Sequence, residues 1–133
     1  MKTKIQENLT TSIVKTLKKN GYYVEKDLKY PGSIYRGTRT KYNKYVLDIF
    51  AYRGSNDIVV IEFENCESIL SHDNKNKWKY LISKPGIDLH IIVPLGCREK
   101  VYLTRKIKNI PVRIHDYSNW RNIFDLKLET LSK

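Results

Sequence analysis

Three acidic residues, Asp48, Glu62 and Glu64, lie within two short runs of mostly apolar residues. The runs, residues 45–52 and 58–64, are rich in β-branched and aromatic side chains, which is typical of strands. A Gly-Ser-Asn stretch between them suits a hairpin loop. The sequence therefore predicts a β-hairpin that carries one carboxylate on its first strand and two on its second.

A loop of three residues would fix the register of this hairpin. It pairs Arg53 with Asp57, Ala51 with Val59, Ile49 with Ile61, and Leu47 with Phe63. The six apolar side chains among these would share one face, as expected of a core face. Asp48 would then lie opposite Glu62 on the other face, with Glu64 one step along. Because like charges opposed across a ladder are destabilising, we expect a compensating cation, and oxygen ligands favour a divalent ion.

The charge distribution agrees with a metal site that faces a polyanion. The chain has a formal net charge of +11. Residues 46–67 contain one base and five acids, a balance of −4, whereas the segments before and after carry +8 and +7. Basic flanks would attract phosphate groups, and the acids would hold the metal ion. The alternative is a basic protein with an acidic hairpin that is merely solvated.

Length and composition limit the classes of protein to which this chain could belong. The 133 residues suit a single domain, 1–133, with a hydrophobic core. No apolar run approaches the roughly 20 residues of a membrane span, and the amphipathic N-terminus is unlike a signal peptide, so we expect no membrane partner. Cys66 and Cys97 lack a zinc-type spacing. These features predict a cytoplasmic (intracellular) protein whose two cysteines are buried free thiols.

Hydrophobic periodicity and turn residues predict the other elements. The predicted helices are 4–20, 71–83, 98–109 and 119–131, and the further strands are 22–28, 89–94 and 110–117. The order is α-β-β-β-α-β-α-β-α. Helices between the later strands favour crossover connections, while the hairpin must be antiparallel. We therefore predict an α/β fold in which helices flank both faces of a mixed central sheet.

This element order and the carboxylate spacing resemble the PD-(D/E)xK nuclease superfamily, particularly its archaeal Holliday-junction-resolvase-like members. Asp48 matches the motif Asp, Glu62 matches the motif Glu, and Glu64 stands where Lys is usual. The resemblance covers roughly residues 5–117, although its motif has only three positions. It implies a restriction-endonuclease-like fold and a Mg²⁺- or Mn²⁺-dependent DNA endonuclease. Asp48, Glu62 and the carbonyl of Phe63 would bind the metal, the substrate would be branched or junction DNA, and a homodimer would cut both strands.

Glu64 is the departure from the family pattern. A glutamate cannot supply the positive charge of the usual lysine, although it could serve as a general base or as a ligand for a second metal. A displaced lysine could replace that charge, and we rank Lys75 first because it lies three residues before Trp78 on the predicted second helix, ahead of Lys79 and Lys77. The alternative function is a non-catalytic DNA-binding protein that retains the nuclease-like fold.

A basic, tyrosine-containing segment precedes the hairpin and could contact nucleic acid. Its candidate DNA-contacting residues are Arg36, Arg39, Lys41, Lys44 and Tyr35. Basic side chains bind phosphates, and tyrosines stack on unpaired bases. The alternatives are a solvated loop, or a tyrosine-rich surface that binds another protein.

Overall fold

Two helices and five strands occupy the part of the chain that the computed structural model describes, namely residues 3–30, 45–54, 56–68, 71–97, 112–121 and 123. In chain order they are α1 (Lys4–Lys19), β1 (Tyr23–Tyr30), β2 (Tyr45–Tyr52), β3 (Ile58–Phe63), α2 (His72–Ile82), β4 (Ile87–Val93) and β5 (Arg113–Asp116). The predicted helix 98–109 lies outside the described residues. Residues 117–121 form turns, so the predicted terminal helix does not begin at Asn119; of its remainder only Ile123, which is helical, is described.

The five strands form one mixed sheet in the order β1-β2-β3-β4-β5. β1, β2 and β3 are antiparallel neighbours, whereas β3, β4 and β5 run parallel. A parallel neighbour requires a crossover, and α2 provides it between β3 and β4. The predicted α/β class with a mixed central sheet is thus confirmed. No helix among the described residues is long and apolar enough to cross a membrane.

Helix α1 begins and ends at residues that cap it. The Thr3 side chain accepts a hydrogen bond from the N–H of Gln6, and the Gln6 side chain accepts one from the N–H of Thr3, which forms a capping box. Asn20 is the C-cap that follows the last helical residue, Lys19, and Gly21 comes next with φ +88°, a backbone conformation that glycine adopts at least cost. Ile13 and Leu17, four residues apart, are buried and pack on the sheet.

Each face of the sheet has its own hydrophobic cluster. On the face covered by α1, here the α1 face, buried residues include Ile13, Leu17, Ile49, Ala51, Val59, Ile61, Phe63 and Ile92. On the opposite face, the α2 face, they include Leu47, Phe50, Val60, Trp78, Leu81, Leu89 and Ile91. Successive strand residues alternate between the two clusters, as the period of two in a strand requires. The carboxylates of the hairpin must therefore be assigned to one face or the other.

The predicted hairpin register is confirmed from the loop as far as the Ile49–Ile61 pair; the regular pairing of β2 with β3 ends there and does not include the predicted Leu47–Phe63 pair. Ile49 pairs with Ile61 and Ala51 with Val59, and the N–H of Arg53 donates to the carbonyl of Asp57 at 2.9 Å. The loop therefore holds three residues. Five of the six apolar side chains that we assigned to one face lie in the α1-face cluster.

Leu47 is the exception, because the alternation of faces shifts at Asp48. Regular pairing of β2 with both neighbours omits Asp48, and Asp27, across from it in β1, has φ +53°. Before this point Val24 and its partner Ala51 belong to the α1-face cluster, whereas beyond it Leu28 and its partner Leu47 belong to the α2-face cluster. In both strands, therefore, the side chains change faces at this point. The N–H of Asp48 takes no part in the regular ladder and donates to the Glu62 side chain instead.

The two cysteines are joined, which corrects the expectation of free thiols. Cys66 follows β3, Cys97 follows β4, and a disulfide links them across a sequence separation of 31 residues. β3 and β4 are parallel neighbours, so their carboxyl ends lie at the same edge of the sheet and bring the two cysteines together. The expectation of free thiols failed because the sequence does not show which distant cysteines the fold brings together.

We expect this disulfide to contribute about 3–4 kcal/mol to the free energy of unfolding, since a cross-link of this loop length restricts the unfolded chain. Urea denaturation of the oxidised protein should show a higher midpoint than denaturation with a thiol reductant. The variant Cys66→Ser/Cys97→Ser should unfold at the reduced midpoint in both buffers. Equal midpoints for the oxidised and reduced wild-type protein would contradict this.

Candidate active site

Glu62 is a fully buried carboxylate on the α2 face of β3. Its Oε2 accepts a hydrogen bond from the N–H of Asp48 at 2.7 Å, and its Oε1 forms an ion pair with Nζ of Lys77. Burial raises the pKa of Glu62 from 4.5 to about 8, and the negative charge of Asp48 adds to this, while Lys77 acts in the opposite direction. A buried acid with so strongly raised a pKa is a feature common at functional sites.

Asp48 and Glu62 exchange hydrogen bonds between their strands. Asp48 Oδ2 accepts the N–H of Phe63 at 2.8 Å, while the N–H of Asp48 binds Glu62. Two side chains thus replace the backbone ladder that stops at the Ile49–Ile61 pair. The predicted opposition of the two acids is therefore present, and it is stabilised by backbone donors as well as by Lys77.

The lysine that contacts Glu62 is Lys77, not Lys75, which corrects our ranking. Lys77 Nζ also donates to the carbonyl of Val46 at 3.0 Å. Lys77 lies four residues before the buried Leu81, so it lies on the side of α2 that faces the sheet. Our ranking used only the spacing from Trp78, which pointed to Lys75. The spacing from Leu81 was the sequence signal that could have identified Lys77.

Glu64 lies one residue beyond β3 and joins the same group. Its N–H donates to the carbonyl of Ile92 at 3.0 Å, and its Oε2 accepts the hydroxyl proton of Ser68. Burial raises the pKa of Glu64, whereas hydrogen bonds from Ser68 and Asn74 and the charge of Lys77 lower it. The negative charge of Asp48 also raises the pKa of Glu64. Asp48, Glu62, Glu64 and Lys77 together are called the carboxylate cluster below.

Ser68 and Asn74 support this cluster, and no sequence pattern indicated the role of Ser68. Asn74 Nδ2 donates to the carbonyl of Ser68 at 2.7 Å, which connects the start of α2 to the turn after β3. The N–H of Ser71, the N-cap of α2, donates to the same carbonyl at 3.0 Å. The turn that presents Ser68 to Glu64 is therefore held by the helix that presents Lys77 to Glu62.

The donor set of the cluster suits a small, hard divalent cation. Asp48 and Glu62 offer carboxylate oxygens at adjacent strand positions, and Phe63, whose N–H already binds Asp48, adds a backbone carbonyl. Mg²⁺ is commonly held by one or two carboxylates and keeps several waters. No group of three or more His, Cys, Asp or Glu side chains arranged for a metal ion occurs among the described residues. The residues present thus fit a cation held by two carboxylates, those of Asp48 and Glu62. In this structure Lys77 balances the charge of Glu62.

We expect Glu62 to make stability fall as pH rises. Because its pKa is about 8 in the folded protein against 4.5 ordinarily, the folded state binds the proton more tightly. This contribution is complete below about pH 4.5 and is lost as pH rises through about 8, with a slope of at most about 1.4 kcal/mol per pH unit. Chemical denaturation of Glu62→Gln across this range should lack that slope. Glu67→Gln, at an exposed position, should retain it; an unchanged slope in Glu62→Gln would contradict the assignment.

The remaining predicted site residues lie outside the described part of the chain. These are Arg36, Arg39, Lys41, Lys44 and Tyr35. Their predicted contact with DNA stays a prediction.

Comparisons with protein-family models, with curated proteins and with solved structures give no match to this chain. Function is therefore inferred from the side chains that the fold brings together.

Proposed function

We propose that the chain is a Mg²⁺- or Mn²⁺-dependent DNA endonuclease with a restriction-endonuclease-like fold. The observation that carries this proposal is the carboxylate cluster: where the hairpin ladder stops, Glu62 binds both Asp48 and Lys77, and the charges of Asp48 and Lys77 act on Glu64. Grouping two further acids around the buried carboxylate of Glu62 costs free energy, since like charges repel and burial penalises them. A bound divalent cation would offset this cost, because its positive charge attracts all of the carboxylates.

Asp48, Glu62 and the carbonyl of Phe63 are the residues that would hold the metal. When bound, the ion would polarise the scissile phosphate and lower the pKa of its water ligand. Glu64, whose pKa is raised by burial, would accept the proton of the attacking water as a general base. Lys77 would take the role of the family's motif lysine and stabilise the negative charge that develops on the phosphate. Ser68 keeps the Glu64 carboxylate in position.

Charge supports DNA as the substrate. The net charge of +11 would draw a polyanion to the protein, and the segment 31–44 between β1 and β2 contains four bases and no acids. By the resolvase resemblance we propose branched or junction DNA as the preferred form. A homodimer would supply the two sites needed for cuts on both strands.

The second candidate is a DNA-binding protein without cleavage. Two observations favour it: Glu64 stands at the motif lysine position, and Lys77 is already paired with Glu62. In that case Lys77 would permanently neutralise Glu62, and the cluster would serve stability alone. This candidate predicts salt-sensitive DNA binding that does not change with divalent cations.

The test is nicking of supercoiled plasmid and cleavage of a labelled four-way junction with Mg²⁺, Mn²⁺, Ca²⁺ or EDTA. We expect cleavage with Mg²⁺ or Mn²⁺, and none with EDTA. Asp48→Asn, purified in the same way, is the control for contaminating nucleases. Cleavage that persists unchanged in this variant would exclude the site, and binding without cleavage under every metal condition would favour the second candidate.

A further inference from the structure

One half of the disulfide lies in the turn that presents Ser68 to Glu64. Cys66 comes two residues after Glu64 and two before Ser68, and its bond to Cys97 joins this turn to the end of β4. Cys97 is buried in the α2-face cluster, and Cys66 packs against the same cluster. The disulfide therefore fixes the middle of the turn, residues 65–68, to the core of the protein.

The other contacts that the structure describes for this turn are hydrogen bonds. Within the turn, Asn65 Oδ1 accepts the N–H of Glu67 at 2.9 Å and the N–H of Ser68 at 2.7 Å, which sets the shape of the turn without joining it to the sheet. At its end, the carbonyl of Ser68 accepts from Asn74 and Ser71. Such hydrogen bonds exchange readily with bonds to water, whereas the disulfide is covalent and stays closed until it is reduced.

The other members of the carboxylate cluster are placed by regular elements rather than by this turn. Asp48 and Glu62 bind each other across β2 and β3. Lys77 lies on α2, which the fully buried Trp78 anchors to the sheet. Glu64 differs, because its carboxylate is held from the turn, by the hydroxyl of Ser68. Opening the disulfide would therefore act on the proposed general base and leave the proposed metal ligands in place.

Cys66 gives a reductant access to the bond, because this residue is only partly buried whereas Cys97 is 6% exposed. One thiolate of a dithiol attacks the sulfur of Cys66, and the sulfur of Cys97 leaves as a thiolate. The second thiol of the reductant then displaces Cys66 and closes a disulfide within the reductant. The two cysteines gain two electrons and two protons, and the dithiol supplies all of them.

We propose that the Cys66–Cys97 disulfide is a redox switch of the carboxylate cluster. In the oxidised protein the bond holds the turn so that Ser68 keeps Glu64 in position, and reduction by a dithiol releases the turn. The reduced protein retains its metal site but loses the placement of the base. This inference rests on the proposed nuclease function, to which it adds regulation by the thiol–disulfide balance of the surroundings.

The test measures single-turnover cleavage and Mn²⁺ affinity of the whole chain before and after reduction with dithiothreitol, which is then removed under argon. Reduction should lower the cleavage rate at least about tenfold, because a misplaced base loses much of its effect, while Mn²⁺ affinity changes less than about twofold. Reoxidation should restore the rate. Cys66→Ser/Cys97→Ser should cleave at the reduced rate under both conditions, and Glu64→Gln, which lacks the base, should be slow and insensitive to reduction.

NMR relaxation of the backbone amides tests the turn without any cleavage. On reduction the order parameters of residues 65–68 should fall from about 0.85 to below about 0.6, while those of Asp48 and Phe63 stay near the higher value. Unchanged order parameters in the turn would overturn the switch. Mobile turn residues without cleavage by either form would support the switch and refute the nuclease.

Three results of the cleavage test would also overturn the switch. Equal cleavage rates in the oxidised and reduced protein would do so and leave the nuclease standing. A joint loss of cleavage and Mn²⁺ affinity on reduction would mean that the disulfide only holds the fold together. An effect of reduction in Glu64→Gln as large as in the wild type would mean that the disulfide does not act through Glu64.

Discussion

Replacing Asp48 with asparagine should lower the rate of metal-dependent DNA cleavage by about a thousandfold. A metal ion supplies several kcal/mol of stabilisation to the transition state, and each 1.36 kcal/mol corresponds to a tenfold change in rate. Asparagine retains an oxygen that can accept the N–H of Phe63, the bond that Asp48 Oδ2 makes at 2.8 Å. The variant should therefore fold, while losing the negative charge that attracts the cation. Initial rates of plasmid nicking measure the effect.

The matched control is Asp88→Asn, an acid on strand β4 of the same sheet that is only partly buried. It changes the net charge by the same amount at a position outside the cluster, so its cleavage rate should stay within about twofold of wild type. Thermal unfolding of both variants separates loss of activity from loss of fold. An Asp48→Asn protein that is folded and cleaves like wild type would remove Asp48 from the chemistry.

Replacing Lys77 with methionine should separate metal binding from cleavage. In the metal-free protein Lys77 neutralises Glu62, so it competes with a cation for the same carboxylate. Without Lys77 the affinity for Mn²⁺ should be equal or higher, whereas the cleavage rate should fall by about a hundredfold or more because a charge-stabilising group is gone. Calorimetric titration of Mn²⁺ and single-turnover cleavage give the two quantities. Loss of metal affinity in Lys77→Met would contradict this competition.

The same substitution should also destabilise the metal-free protein. Removing one partner of a buried ion pair typically costs about 3–5 kcal/mol, since a charge is left buried and uncompensated. Here Glu62 can take up a proton instead, so the loss should be larger above pH 8 than at pH 5. The double variant Glu62→Gln/Lys77→Met removes both charges and should recover part of the stability. Lys77→Arg retains the charge and serves as the control; equal unfolding free energies for wild type and Lys77→Met at pH 9 would oppose the ion pair.

Local patterns predicted the hairpin well because its register depends on loop length and alternation alone. The Gly-Ser-Asn loop and the apolar runs were sufficient to pair Ile49 with Ile61 and to set Asp48 against Glu62. The first two helices were also predicted to within a few residues, since Asn20 with Gly21 and the N-cap Ser71 are strong end signals. These elements need no knowledge of the distant chain.

Features that depend on packing were not predictable in the same way. The reversal of faces at Asp48 arises from the positive φ of Asp27 in the neighbouring strand, so a period-two pattern placed Leu47 on the wrong face. The Cys66–Cys97 bond requires the parallel pairing of β3 and β4, which follows from the crossover through α2. The choice of Lys77 over Lys75 depends on how α2 is rotated on the sheet, and Leu81 determines that rotation as much as Trp78.

The most direct test of the carboxylate cluster as a metal site is a crystal structure of the protein soaked in Mn²⁺, with anomalous scattering used to locate the ion. We expect a Mn²⁺ peak between the carboxylates of Asp48 and Glu62, with Lys77 Nζ moved away from Glu62. The absence of a peak there at millimolar Mn²⁺, with the Lys77–Glu62 ion pair intact, would contradict the proposed hydrolase and leave a basic protein whose buried acid is neutralised by its own lysine.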